Sequence, residues 1–401
     1  MKNDEEKREF DTSFRPLLDY SKDELVELFK TLGLPAYRVG QLRRWVFARK
    51  TVSFSLMSDL SKETRAVLTE LFSKKRTAFA SRAKESFLPI LIRDGREAST
   101  LEVPDPFDST DSFLEGRLVA KSLSDDGTEK LLIEQRDGSR VECVLLRDDR
   151  DHRTACVSVQ VGCAMGCAFC ASGLGGFSRN LSKSEILEEL LRLNALLPQN
   201  ERLTHIVVMG TGEPTLNLDA LLAALEEATA IDGLDVGNRR VTISTVGIPG
   251  GIQRLADLRV PYKLAVSLHA PNDRIRDLIM PQNRVHPINE VLTAADYFFR
   301  QTGRRVTYEY ILLDGINSSV ENARELARLL RKKTAIVNVI PYNPSPDLPY
   351  KTPTSQTIKR FLLTLEEEGV QVKARFRKGD KINAACGQLR WSLRKEDFSR
   401  D

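Results

Sequence analysis

The sequence predicts an α/β protein built on an open, six-unit β/α barrel, with a small helical domain before it and a C-terminal strand and loop after it. Three observations carry this expectation. From about residue 155 to 368, apolar β-rich runs alternate with helical stretches. Residues 16–75 read as short helices alone. After the alternation ends, residues 370–376 give one more strand, and a glycine-containing loop around Cys386 follows. Strands buried on both faces and separated by helices form a parallel sheet, and six units fall short of the eight that close a barrel. The expected division is 1–80 helical, 81–150 linker and β-hairpin, 151–368 barrel and 369–401 tail.

In the first segment, Ser21 followed by Glu24 is a capping box ahead of Leu25, Leu28 and Phe29. Further helices are expected at 39–48 and 62–72. Residues 80–118 are mixed and polar, with Pro104 and Pro106 in an acidic stretch, and read as a linker or insertion. Residues 119–147 alternate like strands, as in the runs 129–135 and 140–146 about an Asp137-Gly138 turn. Barrel strands are expected at 155–161, 204–209, 240–244, 262–268, 305–312 and 335–340. The intervening helices are expected at 183–198, 217–230, 287–301, 319–332 and 354–368, with shorter ones near 250 and 273.

The chain has 401 residues, 41% apolar and 29% charged, with a formal net charge of +4. This is the composition of a globular protein with a sizeable core. No run of 18 apolar residues occurs, so no membrane span is expected. The charged start has no apolar core behind it and is no signal peptide, which leads us to expect a cytoplasmic protein. Six cysteines are too few for a disulfide scaffold and point to metal binding or catalysis. Two basic segments stand out. Residues 36–52 hold Arg38, Arg43, Arg44, Arg49 and Lys50 with no acid, interleaved with Tyr37, Trp45 and Phe47. Residues 371–395 hold eight Lys or Arg against Asp380. Such patches suit phosphate contact and base stacking, and equally an ordinary solvated face.

Cys163, Cys167 and Cys170 form a Cys-x3-Cys-x2-Cys run with no fourth cysteine nearby. Three thiolates can hold three corners of a 4Fe–4S cluster and leave one iron open to a small molecule. Two other readings of the same residues exist. Positions i, i+4 and i+7 also share a helix face, but Gly162 and Gly166 weaken a helix there. Zinc wants four ligands, and no second cysteine pair is present. Beyond this run, polar residues collect at the ends of the expected strands: Gly212 and Glu213, Ser244, Ser267 to His269, and Asn343. At one end of a parallel sheet they would form a small-molecule pocket. Cys143 reads as a strand-core residue, and His152, His205 and His286 as structural or surface.

The cysteine run followed by Gly212-Glu213-Pro214 resembles the radical S-adenosylmethionine (SAM) superfamily. The stretches 156–163, 177–181, 267–273 and 383–389 are similar to the RlmN branch, over roughly residues 16–390. The fold implied is the partial (β/α)6 radical SAM barrel. The activity implied is methylation of C2 of adenine in 23S ribosomal RNA and, in some bacteria, in tRNA. The resemblance further implies Cys163, Cys167 and Cys170 as cluster ligands. Gly212, Glu213, Ser244, Ser267, Leu268, His269 and Asn343 are implied as SAM contacts. Cys386 would carry the methyl group, Cys156 would resolve the adduct by disulfide formation, and Glu142 would accept a proton, a role also open to Cys156. Two SAM molecules would be used per turnover, one for the methyl group and one for radical generation, with electrons from an external one-electron reductant. A monomer is expected. The rival readings are the related C8-adenosine methyltransferase, against which Pro214 weighs, and a non-catalytic iron–sulfur RNA-binding protein. Thr211 departs from the methionine common in the branch, and Ala171 to Gly176 from its usual sequence.

Overall fold

The computed structural model of the chain describes residues 15–73, 90–93, 96–97, 107, 109, 111–374 and 382–389. The N-terminal helices are α1 (Lys22–Thr31), α2 (Arg38–Arg43) and α3 (Lys62–Phe72). Ser21 caps α1 as expected, its hydroxyl accepting from the Glu24 amide at 3.2 Å while Glu24 accepts from the Ser21 amide at 2.7 Å. After α2 the helix widens to π pitch over Arg44–Ala48. Phe29, Leu42, Phe54 and Leu68 form the buried centre of this region.

The strands that follow are β1 (Ile90–Arg93), β2 (Arg96–Glu97), β3 (Arg117–Leu123), β4 (Glu129–Glu134), β5 (Arg140–Arg147) and β6 (Arg153–Cys156). Next come β7 (Gln160–Gly162), β8 (Phe177–Asn180), α4 (Lys183–Ala195), β9 (His205–Val208), α5 (Leu218–Thr229) and β10 (Val241–Thr245). The chain continues through α6 (Pro249–Asp257), β11 (Lys263–Ser267), α7 (Asp273–Ile279), α8 (Ile288–Thr302) and β12 (Val306–Leu312). It closes with α9 (Val320–Leu330), β13 (Ala335–Pro341), α10 (Ser355–Glu367) and β14 (Val372–Ala374).

One twelve-stranded sheet has the order β14-β13-β12-β11-β10-β9-β6-β5-β4-β3-β1-β2. From β6 to β14 every neighbouring pair is parallel, which is the expected barrel. The hairpin of β4 and β5 pairs antiparallel onto β6, and β3 extends it, so residues 117–147 continue the barrel's sheet. The expected strand at 155–161 is two strands. The chain leaves the sheet after Cys156, and Gln160–Gly162 pairs instead with β8 in a separate hairpin. A run of Val at 157, 159 and 161 satisfies either course, so the pattern alone does not mark the break. The strand expected at 370–376 is seen as Val372–Ala374, and its last two residues lie outside the described residues.

The sheet curls. Cys156 of β6 and Ala374 of β14, on the two outermost strands of its parallel part, line one cavity. Inward-facing residues follow the two-residue strand period. Register aligns Cys156, Val207, Thr242 and Lys263 in one inward row. It aligns Ser267, Glu309, Asn338 and Lys373 in another. The outward faces of the strands bury against the helices in one continuous core.

Candidate active site

Cys163, Cys167 and Cys170 lie on the loop between β7 and β8, at the C-terminal end of the parallel sheet. Gly162 has φ 75°, and a Cβ there would fall 1.9 Å from the Gly176 carbonyl oxygen, so the hairpin that anchors the loop requires glycine. The Cys163 amide donates to that same carbonyl at 2.8 Å, and the Ala168 amide donates to the Ile279 carbonyl at 2.9 Å. Burial pushes the Cys163 thiol up to about 11, and it raises Cys167 and Cys170 as well. Each of the three also feels the charge of a neighbouring thiol. Among the described residues, no three His, Cys, Asp or Glu side chains are placed to hold a single metal ion. The three thiols line one cavity from a single loop, and separate iron corners of a cluster there would each take one thiolate.

The loops after β9, β10 and β11 complete a cavity of about 160 Å³ lined by the three cysteines, Gly212, Glu213, Ser244, Ser267, His269, Cys386 and Gly387. Glu213 is its hub. One carboxylate oxygen accepts from the Thr215 amide and hydroxyl at 3.1 and 2.5 Å and from the Thr245 hydroxyl at 2.6 Å. The other accepts only from the Val246 amide, at 2.7 Å. Burial raises the Glu213 carboxyl against these hydrogen bonds. The second oxygen keeps a lone pair for a ligand's N–H. His269 is buried with φ 57°, and its Nδ1 accepts from the Ile311 amide at 3.1 Å. The proton therefore sits on Nε2, and burial holds the imidazole down to about 3. His269 is thus a neutral donor and not an acid or base near neutral pH.

Leu268 does not line the cavity beside Ser267 and His269. Its side chain is fully buried in the main core and lines neither cavity, because strand alternation turns it away from Ser267. Its amide is also occupied, donating to the Glu309 carbonyl at 3.1 Å.

Residues 382–389 close the site from the far end of the chain. The Ala171 amide donates to the Gly387 carbonyl at 2.8 Å, and the Ser172 hydroxyl donates to the Leu389 carbonyl at 2.6 Å. Ile382, Ala384 and Leu389 pack with Cys156 and Val144. A second cavity, of about 410 Å³, fills the barrel lumen and is lined by Cys156, Asn343 and Cys386. The two cavities share Met209, Ile340 and Cys386, so Cys386 stands at their junction. Asn343 donates to the Cys386 carbonyl at 3.4 Å, while its own buried Oδ1 has no partner. An orphaned acceptor beside a cavity fits a ligand amino group.

Glu142 lines neither cavity. It faces the same side of the sheet as Val144, whose partner across the strands is Cys156. Its Oε1 pairs with Lys130 at 2.8 Å, and Lys130 also reaches the Asn383 carbonyl at 3.3 Å. Its Oε2 is buried without a partner. Cys143 is fully buried on the opposite face, as its strand position predicts.

The basic segment 36–52 is largely engaged within the fold. Arg43 is buried and pairs with Glu227 at 2.6 Å and Asp232 at 3.0 Å. Lys50 donates to the carbonyls of Leu197, Pro198 and Glu201 at 3.0, 2.8 and 2.9 Å, beyond the end of α4. These residues dock the helical segment onto the barrel. Apart from Lys373, the cations expected to form the second patch lie outside the described residues.

Two positioning residues escaped the sequence reading. Gln160 accepts from the Glu213 amide at 2.9 Å and donates to Asn180 at 2.8 Å, tying the glutamate loop to β8. Arg276 is fully buried and donates to the carbonyls of Val246, Ser267 and Leu268 at 2.7, 3.1 and 3.1 Å. Burial lowers its guanidinium to about 10. Nothing in the sequence separates Arg276 from its exposed neighbour Arg274.

Residues 157–330 match the radical SAM superfamily, so the barrel and its cysteine loop belong to an enzyme class that works with a 4Fe–4S cluster and SAM. Residues 16–73 match the ribosomal RNA large subunit methyltransferase N-terminal domain. The chain is 48% identical over 374 residues to the probable dual-specificity RNA methyltransferase RlmN of Rhodopirellula baltica, covering 93% of this chain and 90% of that one. It is 38% identical to the protein of the same name in Symbiobacterium thermophilum, covering 96% and 94%. The crystal structure of a radical SAM methyltransferase from Sphaerobacter thermophilus superimposes with a TM-score of 0.80 at 37% identity, covering 94% and 99%. The chain belongs to the RlmN family of radical SAM RNA methyltransferases.

Proposed function

We propose that this enzyme methylates C2 of an adenosine in 23S rRNA and in tRNA, using two SAM molecules per turnover and Cys386 as the methyl carrier. The observation that supports this most directly is the position of Cys386 at the junction of a cluster-side cavity and a lumen containing Cys156. Cys163, Cys167 and Cys170 would hold the cluster. Glu213, His269 and Asn343 offer SAM two acceptors and one donor. When bound, the cluster and SAM supply a methyl group and a one-electron hydrogen abstraction that no side chain can perform.

The side chains would act as follows. Cys386 Sγ takes the methyl group, and that carbon becomes bonded to adenine C2 while still attached to sulfur. Glu142 Oε2 would take the C2 proton as the adduct gives up one electron, for which the bound cluster would be the acceptor. The Cys156 thiolate then attacks Cys386 Sγ. The S–C bond breaks with its electron pair going to carbon, which takes a proton, and a Cys156–Cys386 disulfide remains for a thiol reductant to reopen.

Cys156→Ala is expected to leave RNA covalently held by Cys386, seen as a slow band on a denaturing gel. Normal release of methylated RNA from that variant would reject the resolving role. Mass spectrometry of digested RNA is expected to show 2-methyladenosine, and 8-methyladenosine alone would assign the rival chemistry.

A further inference from the structure

The lumen does not end at the cysteines. It runs down the barrel to the starting ends of the strands, where Arg147, His205 and Arg240 also line it. Four cations gather around this opposite mouth. Arg239 and Arg240 precede β10, Lys263 opens β11, and Lys373 lies on β14. All four are exposed. Register turns Lys263 inward in the row that contains Cys156, and Lys373 inward in the row that contains Glu309.

None of the four has an acid partner among the described residues. The acids nearby are already engaged, Asp148 with His152 at 2.8 Å and Glu201 with Arg153 at 2.6 Å. The cations also oppose one another. Burial and the charge of Lys373 hold Lys263 below its ordinary value. Burial, then the charges of His152, Arg240 and Lys263, hold His205 down to about 4, so it is neutral here. Uncompensated like charges around a concave opening cost folding energy and create a strong attractive field for anions. Asn343 Oδ1, buried and unpartnered, lines the same lumen farther up. A volume of about 410 Å³ lies within the range of small-molecule sites and could take one flipped nucleotide.

We propose that Arg239, Arg240, Lys263 and Lys373 form a phosphate-binding collar for the RNA backbone flanking the target adenosine. The base would enter the lumen from the starting ends of the strands and reach Cys386 from the side opposite the cysteine loop. This rests on the RNA-methyltransferase reading above and adds the direction of approach and the residues that hold the strand.

The test is binding of a fluorescein-labelled RNA hairpin with an unpaired adenosine to the iron-loaded protein, across a salt series. Each neutralised phosphate contact on a single strand contributes about 0.7 to the slope of log affinity against log salt. Arg240→Gln, Lys263→Gln and Lys373→Gln are each expected to weaken binding and flatten that slope by about 0.7, and the triple variant by about 2. Lys263→Arg and Lys373→Arg keep the charge and are expected to retain the wild-type slope. A triple Gln variant with wild-type affinity and slope overturns the collar. Wild-type protein that does not bind the hairpin at any salt concentration overturns the RNA reading itself, a separate result.

Discussion

Two basic regions of this protein have opposite fates. Residues 36–52 hold five cations within seventeen residues, and the fold engages most of them. Arg43 is neutralised by two carboxylates, Lys50 donates to three carbonyls, and Arg38 donates to Gln41 and to the Asp59 carbonyl. Arg49 lies over the Trp45 ring at 4.0 Å, and Arg44 is exposed. The cations at the lumen mouth are scattered from 239 to 373, and none has an acid partner among the described residues. The dense run is mainly an attachment, and the scattered set is a field. Charge density along a chain is a poor guide to potential on its surface, because sheet register decides which charges meet and which are compensated.

The comparison breaks first at Arg43. If segment 36–52 is an attachment, Arg43→Ala removes the buried cation that joins Glu227 and Asp232, leaving Glu227 with Lys183 at 3.3 Å and Asp232 with Lys22 at 2.7 Å. Removing one partner of a buried pair typically costs about 3–5 kcal/mol. Urea unfolding should register a loss of that order, while the folded fraction keeps the wild-type salt slope for RNA. A stability change below about 1 kcal/mol, the range of surface pairs, with a flattened slope would return Arg43 to the RNA-binding surface.

How much was legible in the sequence follows the same division. The barrel helices and most of its strands were readable, because each carries its own apolar period and several of the helices carry a side-chain cap. Ser182 with Glu185 and Ser319 with Asn322 form capping boxes at the starts of α4 and α9. The three cysteines were readable because they fall in one short run, and Glu213 because Gly212 and Pro214 flank it. What was hidden depends on long-range pairing. Lys263 joins the row of Cys156 only through two intervening strands. Gln160 meets Glu213 across 53 positions and carries no signal of its own. Leu268 was grouped with its neighbours Ser267 and His269, but side-chain alternation turned it into the core. Residues 119–147 read as strand-like and 80–118 as a linker or insertion, yet β1 inside that insertion joins the same sheet by pairing with β3.

A smaller effect belongs to Lys50. Lys50→Met keeps the apolar stem and removes three charge-assisted hydrogen bonds to the carbonyls beyond α4. Hydrogen bonds involving a charged group contribute about 1.5–3 kcal/mol, and a loss in that range is expected by urea unfolding. No loss would mean that those carbonyls are solvated equally well without the ammonium.

The smallest and most specific effect is on acid stability. Asp232 is partly exposed, and burial alone would raise its carboxyl. Hydrogen bonds from Lys22 and Arg43, with their charges, outweigh burial and hold it below 3.8. A carboxyl whose folded pKa is depressed stabilises the fold above its unfolded value, and that stability disappears as pH falls through the folded one. Asp232→Asn should therefore be less stable than wild type at pH 6, and the gap should close as pH falls below about 4, the ordinary aspartate range. Thermal melts of both proteins from pH 6 to pH 3 measure it. A gap that stays constant would show that the Asp232 carboxylate contributes no charge-dependent attachment, leaving Glu227 as the partner that makes Arg43 structural.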